Sequence, residues 1–404
     1  MVLSHTVIKM QYIPLLALAL VFCACSNPAG TMNGSKSMEG ANLDSCATLA
    51  AKFIWLKENV ESNKNYVIEV NADDFLTTQV LSYSGKNNIT IHIKGIGTER
   101  ILTNTSGDSL FILGSGVTLV LESNISLTSL WNPNNDSLVQ VFDGAHLIMN
   151  EGSKLTGNNC FSIWVENIYG DILNGEIGGG VYVGGTGIFT MNGGEISNNS
   201  ASTGGGVYVA ANGTFIMNKG KISGNSAYNS GGGVGIGYNS TFIMNGGEIT
   251  GNSAYNSGGG VYSGYQNATF TMKNDSCIIN NSAASGGGVY FAGGTFSILG
   301  GLISDNSAYF NGGGVYIPYW ETGNETFNKT GGTITGYASD IYHGNVVTYG
   351  EGTIMPETGH AIYVGLEGGY LYMDTTSIPG ASLSFDSNNG SPLWAGSWEI
   401  IEYP

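Results

Sequence analysis

Between residues 178 and 336, apolar and polar positions alternate in short runs that break every few residues at glycine or asparagine. The runs recur as a unit. A Gly-Gly-Gly triplet begins at 178, 204, 231, 258, 286 and 312, at spacings of 26, 27, 27, 28 and 26 residues. An extended segment follows each triplet, as in Val181-Tyr182-Val183 and Val207-Tyr208-Val209. A variable turn leads to Phe189-Thr190-Met191, repeated as Phe215-Ile216-Met217 and Phe242-Ile243-Met244. A third segment reads Glu195-Ile196-Ser197, Lys221-Ile222-Ser223 and Glu248-Ile249-Thr250, and each unit closes on Asn-Ser-Ala. Strand side chains alternate with period 2, so Val181 and Val183 share one side, as do Phe189 and Met191. Tyr182, Thr190 and Glu195 mark the opposite side. Glycine breaks this frequent leave no room for helices.

The pattern predicts an all-β fold, a right-handed parallel β-helix: a solenoid with three strands per coil of about 27 residues, rising about 4.8 Å per coil. One coil cannot bury its own apolar side, so the core exists only in the stack. Degenerate coils precede the regular ones, at Tyr66 to Val70, Ile89 to Ile93, Leu110 to Leu113, Val117 to Leu121 and Leu147 to Met149. Ahead of these, Leu49, Phe53, Leu56 and Val60 recur at helical spacing, which predicts an N-terminal amphipathic capping helix over the exposed end of the stack. The expected organisation is a signal peptide at 1–24, a flexible tether at 25–45, the capping helix at 46–62, degenerate coils at 63–177, regular repeats at 178–336, and terminal coils with a C-terminal cap bearing Trp394 and Trp398 at 337–404. Further strands are expected at Ala361 to Val364 and Leu383 to Phe385.

Composition sharpens this picture. Glycine supplies 64 of 404 residues, more than twice the usual share of about 7 %, and its clustering in triplets excludes collagen. Lys+Arg number 13 against 30 Asp+Glu, for a net charge of −17, which argues against a nucleic-acid partner. Lys9 precedes an 11-residue apolar run, Ile13 to Cys23, too short for a bilayer span of about 20 residues and suited to a signal peptide. Removing residues 1–24 takes away one lysine and no acid, leaving −18. Cys46, Cys160 and Cys277 form no disulfide framework or metal knuckle by spacing, and free thiols are expected.

Candidate chemistry is sparse. The single arginine, Arg100, falls in a turn-like Gly-Thr-Glu-Arg, and Asp73-Asp74 is the one adjacent aspartate pair. Inverting hydrolysis needs two carboxylates about 6.5–9.5 Å apart. Glu195, Lys221 and Glu248 share one register as an acid-base-acid ladder, either a catalytic group or exposed charge pairing. Cys277 and Leu302 continue that register. The five histidines show no metal-ligand spacing, and no cofactor is expected. Gly231 to Gly237 opens no helix and lacks the lysine of a phosphate loop, so it reads as a repeat turn; a β-branched residue at Gly232 would disrupt that turn if the glycine takes positive φ. Tyr182, Tyr208, Tyr262, Tyr290 and Tyr316 share one outward position, interrupted by Gly235. They form either a packing ladder or an aromatic binding face, which Tyr265, Tyr319 and Trp320 in the variable turns would enlarge.

Phe22-Cys23-Ala24-Cys25-Ser26-Asn27 resembles the bacterial lipoprotein signal, although Phe22 and Cys23 depart from its usual Leu-(Ala/Ser) pattern. The resemblance implies that Cys25 carries the lipid and that the mature protein is exported and held at the cell envelope, at the outer membrane or cell surface. Ile222 to Ala227 followed by Gly231 to Val234 resembles the paired Phe-x-x-Asn and Gly-Gly-Ala-Ile repeats of chlamydial polymorphic outer-membrane proteins. The order of opening helix, Tyr83 to Lys86, Gly114 to Leu121 and glycine repeats is similar to repeat-bearing spirochaete lipoproteins, over roughly residues 45 to 400. The chlamydial likeness implies an adhesin, with a lipid anchor in place of the C-terminal membrane barrel.

The sequence therefore points to a non-catalytic, lipid-anchored envelope protein, a surface adhesin or structural and interaction protein. Its expected partners are the membrane, through the anchor, and a glycan or a host or cell-surface protein. The alternatives are a glycan-binding module, or a polysaccharide lyase or hydrolase with a divergent site, since such enzymes use the pectate-lyase-like fold. Fold alone does not decide among them.

Overall fold

A computed structural model describes residues 41–43, 46, 48–130, 136–160, 178–318 and 326–334. It also places the strands Val346–Tyr349, Thr353–Ile354, Ile362–Val364, Tyr370–Met373 and Glu399–Glu402. Cys25, the signal segment, tether residues 25–40, 44 and 45, Tyr319, Trp320, Leu383 to Phe385, Trp394 and Trp398 lie outside the described residues, whereas Ala41–Asn42, expected in the tether, pair as a strand with Lys64–Val70.

The chain is a parallel β-solenoid of about nine turns. The 13-stranded first sheet runs from Ala41–Asn42 through Lys64–Val70 and the phenylalanine-methionine strands to Glu399–Glu402. Its central strands, Ile188–Met191, Thr214–Met217, Thr241–Met244, Thr269–Met272 and Thr295–Ile298, pair parallel in unbroken register. Phe189, Phe215, Phe242, Phe270 and Phe296 consequently stack, with ring centroids 4.6, 4.7, 4.9 and 4.7 Å apart. All five are fully buried, and each ring pair adds about 0.5–1.5 kcal/mol beyond its burial.

The ten-stranded second sheet carries the Val-Tyr-Val segments, and the ten-stranded third carries the Glu/Lys-Ile-Ser segments. The alternation assigned the faces correctly: Val181, Val183, Phe189, Met191 and Ile196 face the core, whereas Tyr182, Thr190 and Glu195 are half-buried on the outside.

The structure adds a fourth strand to the three expected per coil. The segments after the repeated asparagine, Ser200–Thr203, Ser226–Ser230, Ser253–Ala254, Ser282–Ser285 and Ser307–Asn311, pair into a sheet of their own. The inward position that apolar residues fill elsewhere is held by the small alanine of Asn-Ser-Ala, and Ser230 is the one other buried residue in these five strands. The segment therefore reads as punctuation in the sequence.

The corner before each of these strands explains the asparagines. Asn199, Asn225, Asn252, Asn281 and Asn306 are almost wholly buried. Each side-chain carbonyl accepts from the coil before it: the Asn252 Oδ1 takes the Asn225 backbone N–H and Nδ2, both at 2.9 Å, and the Asn281 Oδ1 takes both Asn252 donors at 3.0 Å. A second Nδ2 hydrogen satisfies a carbonyl of the third sheet, as from Asn252 to Ile222 at 2.9 Å. Buried polar groups are tolerable only when paired in this way.

The glycine triplet serves two different needs. Gly231 takes φ +71°, a left-handed conformation that disfavours other residues. Gly232 does not meet the condition of positive φ; a Cβ on it would collide with the carbonyl oxygens of Ser253 and Gly259 in the next coil. Close approach of backbones, not left-handed φ, excludes a side chain at 232.

The N-terminal helix spans Leu49–Asn59, with the Thr48 hydroxyl capping the Ala51 N–H at 3.1 Å. Leu49, Phe53, Leu56 and Val60 are all buried, as their spacing predicts, and Phe53 meets Phe111 at 5.7 Å between centroids. Lys52, buried on the same face, donates from Nζ to the Glu69 carbonyl at 2.8 Å.

Candidate functional site

The isolated charged candidates are tied into the scaffold. Arg100 folds back onto its own turn, donating from Nε and Nη2 to the Ile96 carbonyl at 3.0 and 2.9 Å. Asp73 accepts the Ile101 N–H at 3.0 Å, bridging neighbouring coils, and Asp74 accepts the Phe75 N–H at 2.8 Å. The aspartate pair thus performs turn and coil-bridging work.

Glu195, Lys221 and Glu248 do stand in one register, followed by Cys277 and Leu302, and Lys154 precedes them. Lys221 pairs with Glu248 at 3.4 Å, while the Glu195 Oε1 accepts the Ser223 hydroxyl at 3.2 Å. These groups are partly exposed, and an exposed pair contributes at most about 1 kcal/mol. His92 bonds to Glu122 and His146 to Thr190, each at 2.9 Å. Burial lowers the pKa of His146. Among the described residues no group of three His, Cys, Asp or Glu is arranged to hold a metal ion. Cys160 and Cys277 take part in no disulfide, but Cys46 is disulfide-bonded, which corrects the expectation for that cysteine.

The tyrosines form the expected row on the second sheet: Tyr182, Tyr208, Gly235, Tyr262, Tyr290 and Tyr316 pair in sequence across neighbouring coils. Tyr182 stacks on Tyr208 at 6.2 Å, Tyr262 on Tyr290 at 5.4 Å, and Tyr290 meets Tyr316 edge-on at 5.3 Å. The rings lie against the sheet. Residues two positions on are small, as at Gly184 and Gly264, and a Cβ on either would strike the ring of Tyr182 or Tyr262. At Gly235 the Tyr208 ring leans into the vacant position, and Tyr265 stands near both Tyr208 and Tyr262. Tyr208 is left only 8 % exposed. Burial pushes the Tyr262 phenol up to about 12, with Tyr265 adding to the shift, and raises Tyr208, Tyr290 and Tyr182 as well. Tyr182, Tyr262, Tyr290 and Tyr316 remain half-buried, so the rings pack along the sheet with part of each still accessible.

Tyr265 and Phe142 beside the row are exposed, and further open aromatic rings stand on the fourth sheet, whose strands the sequence pattern did not predict. Tyr228 is 44 % exposed, Tyr255 71 %, Tyr309 42 % and Phe310 48 %. Tyr228 and Tyr255 stack at 5.7 Å with planes 6° apart, and the Asn256 amide beside them donates to Asn229 at 2.8 Å. The signal was present in the repeated Ala-Tyr-Asn-Ser that precedes two of the glycine triplets. No protein family, curated protein or solved structure matches the chain.

Proposed function

We propose that this protein is a non-catalytic, lipid-anchored envelope protein that presents a rigid solenoid to partners outside the cell, as an adhesin or structural scaffold of the kind its repeats resemble in spirochaete and chlamydial surface proteins. The observation that carries this reading is the use made of the polar side chains. The buried asparagines, the aspartate pair and Arg100 are spent on ladders and turns that hold coils together, while aromatic rings and neutral amides remain on the outside. An anchored rod with such a surface is suited to contact rather than chemistry. The Cys25 lipid would tie the N-terminal end of the stack to the membrane; stable attachment needs two or more acyl chains.

The test expresses the full chain in a bacterium with radiolabelled palmitate. Label incorporation and partition into detergent are expected, and both should be lost in Cys25→Ala. Unlabelled protein in the aqueous phase would refute the anchor. Incubation with neutral and uronate polysaccharides should release no reducing or unsaturated ends; release of either would establish an enzyme instead.

A further inference from the structure

The fourth sheet is not uniform along the stack. Ser257 pairs with Ser285, whereas Ser253 pairs with Ser282, so Tyr255 and Asn256 together sit opposite the single Ala284. On its other side the register slips again: Ala283 pairs with Ala308 but Ser285 with Asn311, which sets both Tyr309 and Phe310 opposite the same alanine. The fourth-sheet segment of one coil is thus a residue shorter than those of its two neighbours and carries a methyl group where they carry rings. The result is a notch floored by Ala284, with Tyr255 on one wall and the edge-to-face pair Tyr309 and Phe310, 4.5 Å between centroids, on the other. The walls stand two coil rises apart, about 9.6 Å.

We propose that this notch binds a neutral sugar ring of an uncharged glycan lying along the solenoid axis. The gap is wider than one flat aromatic ring needs and suits a thicker pyranose. Its walls are aromatic, and aromatic rings pack on the C–H groups of a sugar, while the Asn229–Asn256 amide pair runs alongside for hydroxyls. No charged side chain occurs in any of the five strands from Ser200–Thr203 to Ser307–Asn311, although the chain carries −17. An acidic or basic ligand therefore finds no counter-charge on this face. Area argues the same way. Four coils of about five residues cover roughly 300 Å², well short of the roughly 800 Å² that each partner gives to a standard protein interface.

The proposal rests on the reading of the chain as a non-catalytic surface protein, and its test is separable from that reading. Full-length protein is titrated with soluble neutral glucans, mannans and galactans, with a uronate polymer and a matrix protein as further arms, and sedimentation records self-association. Saturable binding to a neutral polysaccharide is expected. Tyr255→Ala should weaken it by about tenfold or more, as loss of a central aromatic anchor does. Ala284→Tyr should abolish it by filling the notch while leaving the melting temperature unchanged or raised, because its neighbours already carry tyrosine there. Tyr238→Ala, on a different turn, should leave binding intact. Unchanged binding in Ala284→Tyr, binding to the uronate or matrix protein alone, binding to no probe, or a dimer lost in Tyr255→Ala would each overturn the notch as a glycan site without bearing on catalysis. Cleavage of the polysaccharide would overturn the underlying reading.

Discussion

Asn252 shows how much of the fold rests on single buried amides. It accepts two hydrogen bonds from Asn225 and donates to Ile222 and Asn281. Replacing it with alanine strands the Asn225 N–H and the Ile222 carbonyl in a dry corner, and each unsatisfied group costs about 1–3 kcal/mol. Asn252→Ala is expected to lower stability by about 3 kcal/mol or more in urea denaturation; a loss under about 1 kcal/mol would mean that water replaces the amide. At the same scale the alternation misleads once. The position held by Met191, Met217, Met244, Met272 and Ile298 passes to Lys329 in the next strand, and Lys329 is 3 % exposed. Its amine donates to the Gly332 carbonyl at 2.8 Å, and burial lowers its pKa. A local carbonyl makes the lysine tolerable where the pattern demands an apolar residue.

At the scale of the strand, the tyrosine ladder couples packing to protonation. Burial, and then neighbouring phenols, raise the folded-state pKa of Tyr208, Tyr262 and Tyr290 above 10. The unfolded chain ionises near pH 10, whereas the folded row holds its protons, Tyr262 to about 12. The contribution of the row to stability is therefore complete below pH 10 and is lost as pH rises from 10 through 12 and beyond. Thermal melts should show a falling midpoint across that window, and the tyrosinate absorbance of the native protein should lag behind that of the urea-unfolded chain. Coincident titration curves would mean that the rings are solvated. The sequence showed that the tyrosines share a register. It did not show that Gly184, Gly264 and Gly235 give their rings a bed to lie in, because that depends on contacts along and between strands.

For the whole molecule, the period and the inward positions were legible because each is repeated in coil after coil and a shared core tolerates little variation. The fourth sheet was not. Its strands offer one small inward side chain each, and their outer residues change from serine to tyrosine to alanine, so no alternation develops. The notch was hidden for the same reason: it arises from a one-residue difference in length between neighbouring fourth-sheet segments. The helix was legible from four apolar positions, and its role follows from the open sheet edge it lies near. A chain beginning at Lys64 loses Leu49–Asn59 and also Ala41–Asn42, the strand that pairs with Lys64–Val70. That truncated protein is expected to aggregate in light scattering at concentrations where the full chain stays dispersed. A monodisperse truncated protein would show that the edge protects itself.

The buried asparagine ladder also has a direction. Between the asparagines themselves, the backbone N–H from Asn158 onward, and the Nδ2 from Asn199 onward, donate to the Oδ1 of the C-terminal neighbour, while the second Nδ2 hydrogen turns back to a backbone carbonyl of the preceding coil. The amide dipoles add head to tail in a dry interior, so each bond polarises the next. Such a column is an electrical axis as well as a mechanical one. Its two ends are chemically unlike: a coil docking at the C-terminal end must bring an acceptor, and one docking at the N-terminal end must bring a donor. The stack is therefore vectorial, and coils cannot be added in either orientation at either end with equal effect.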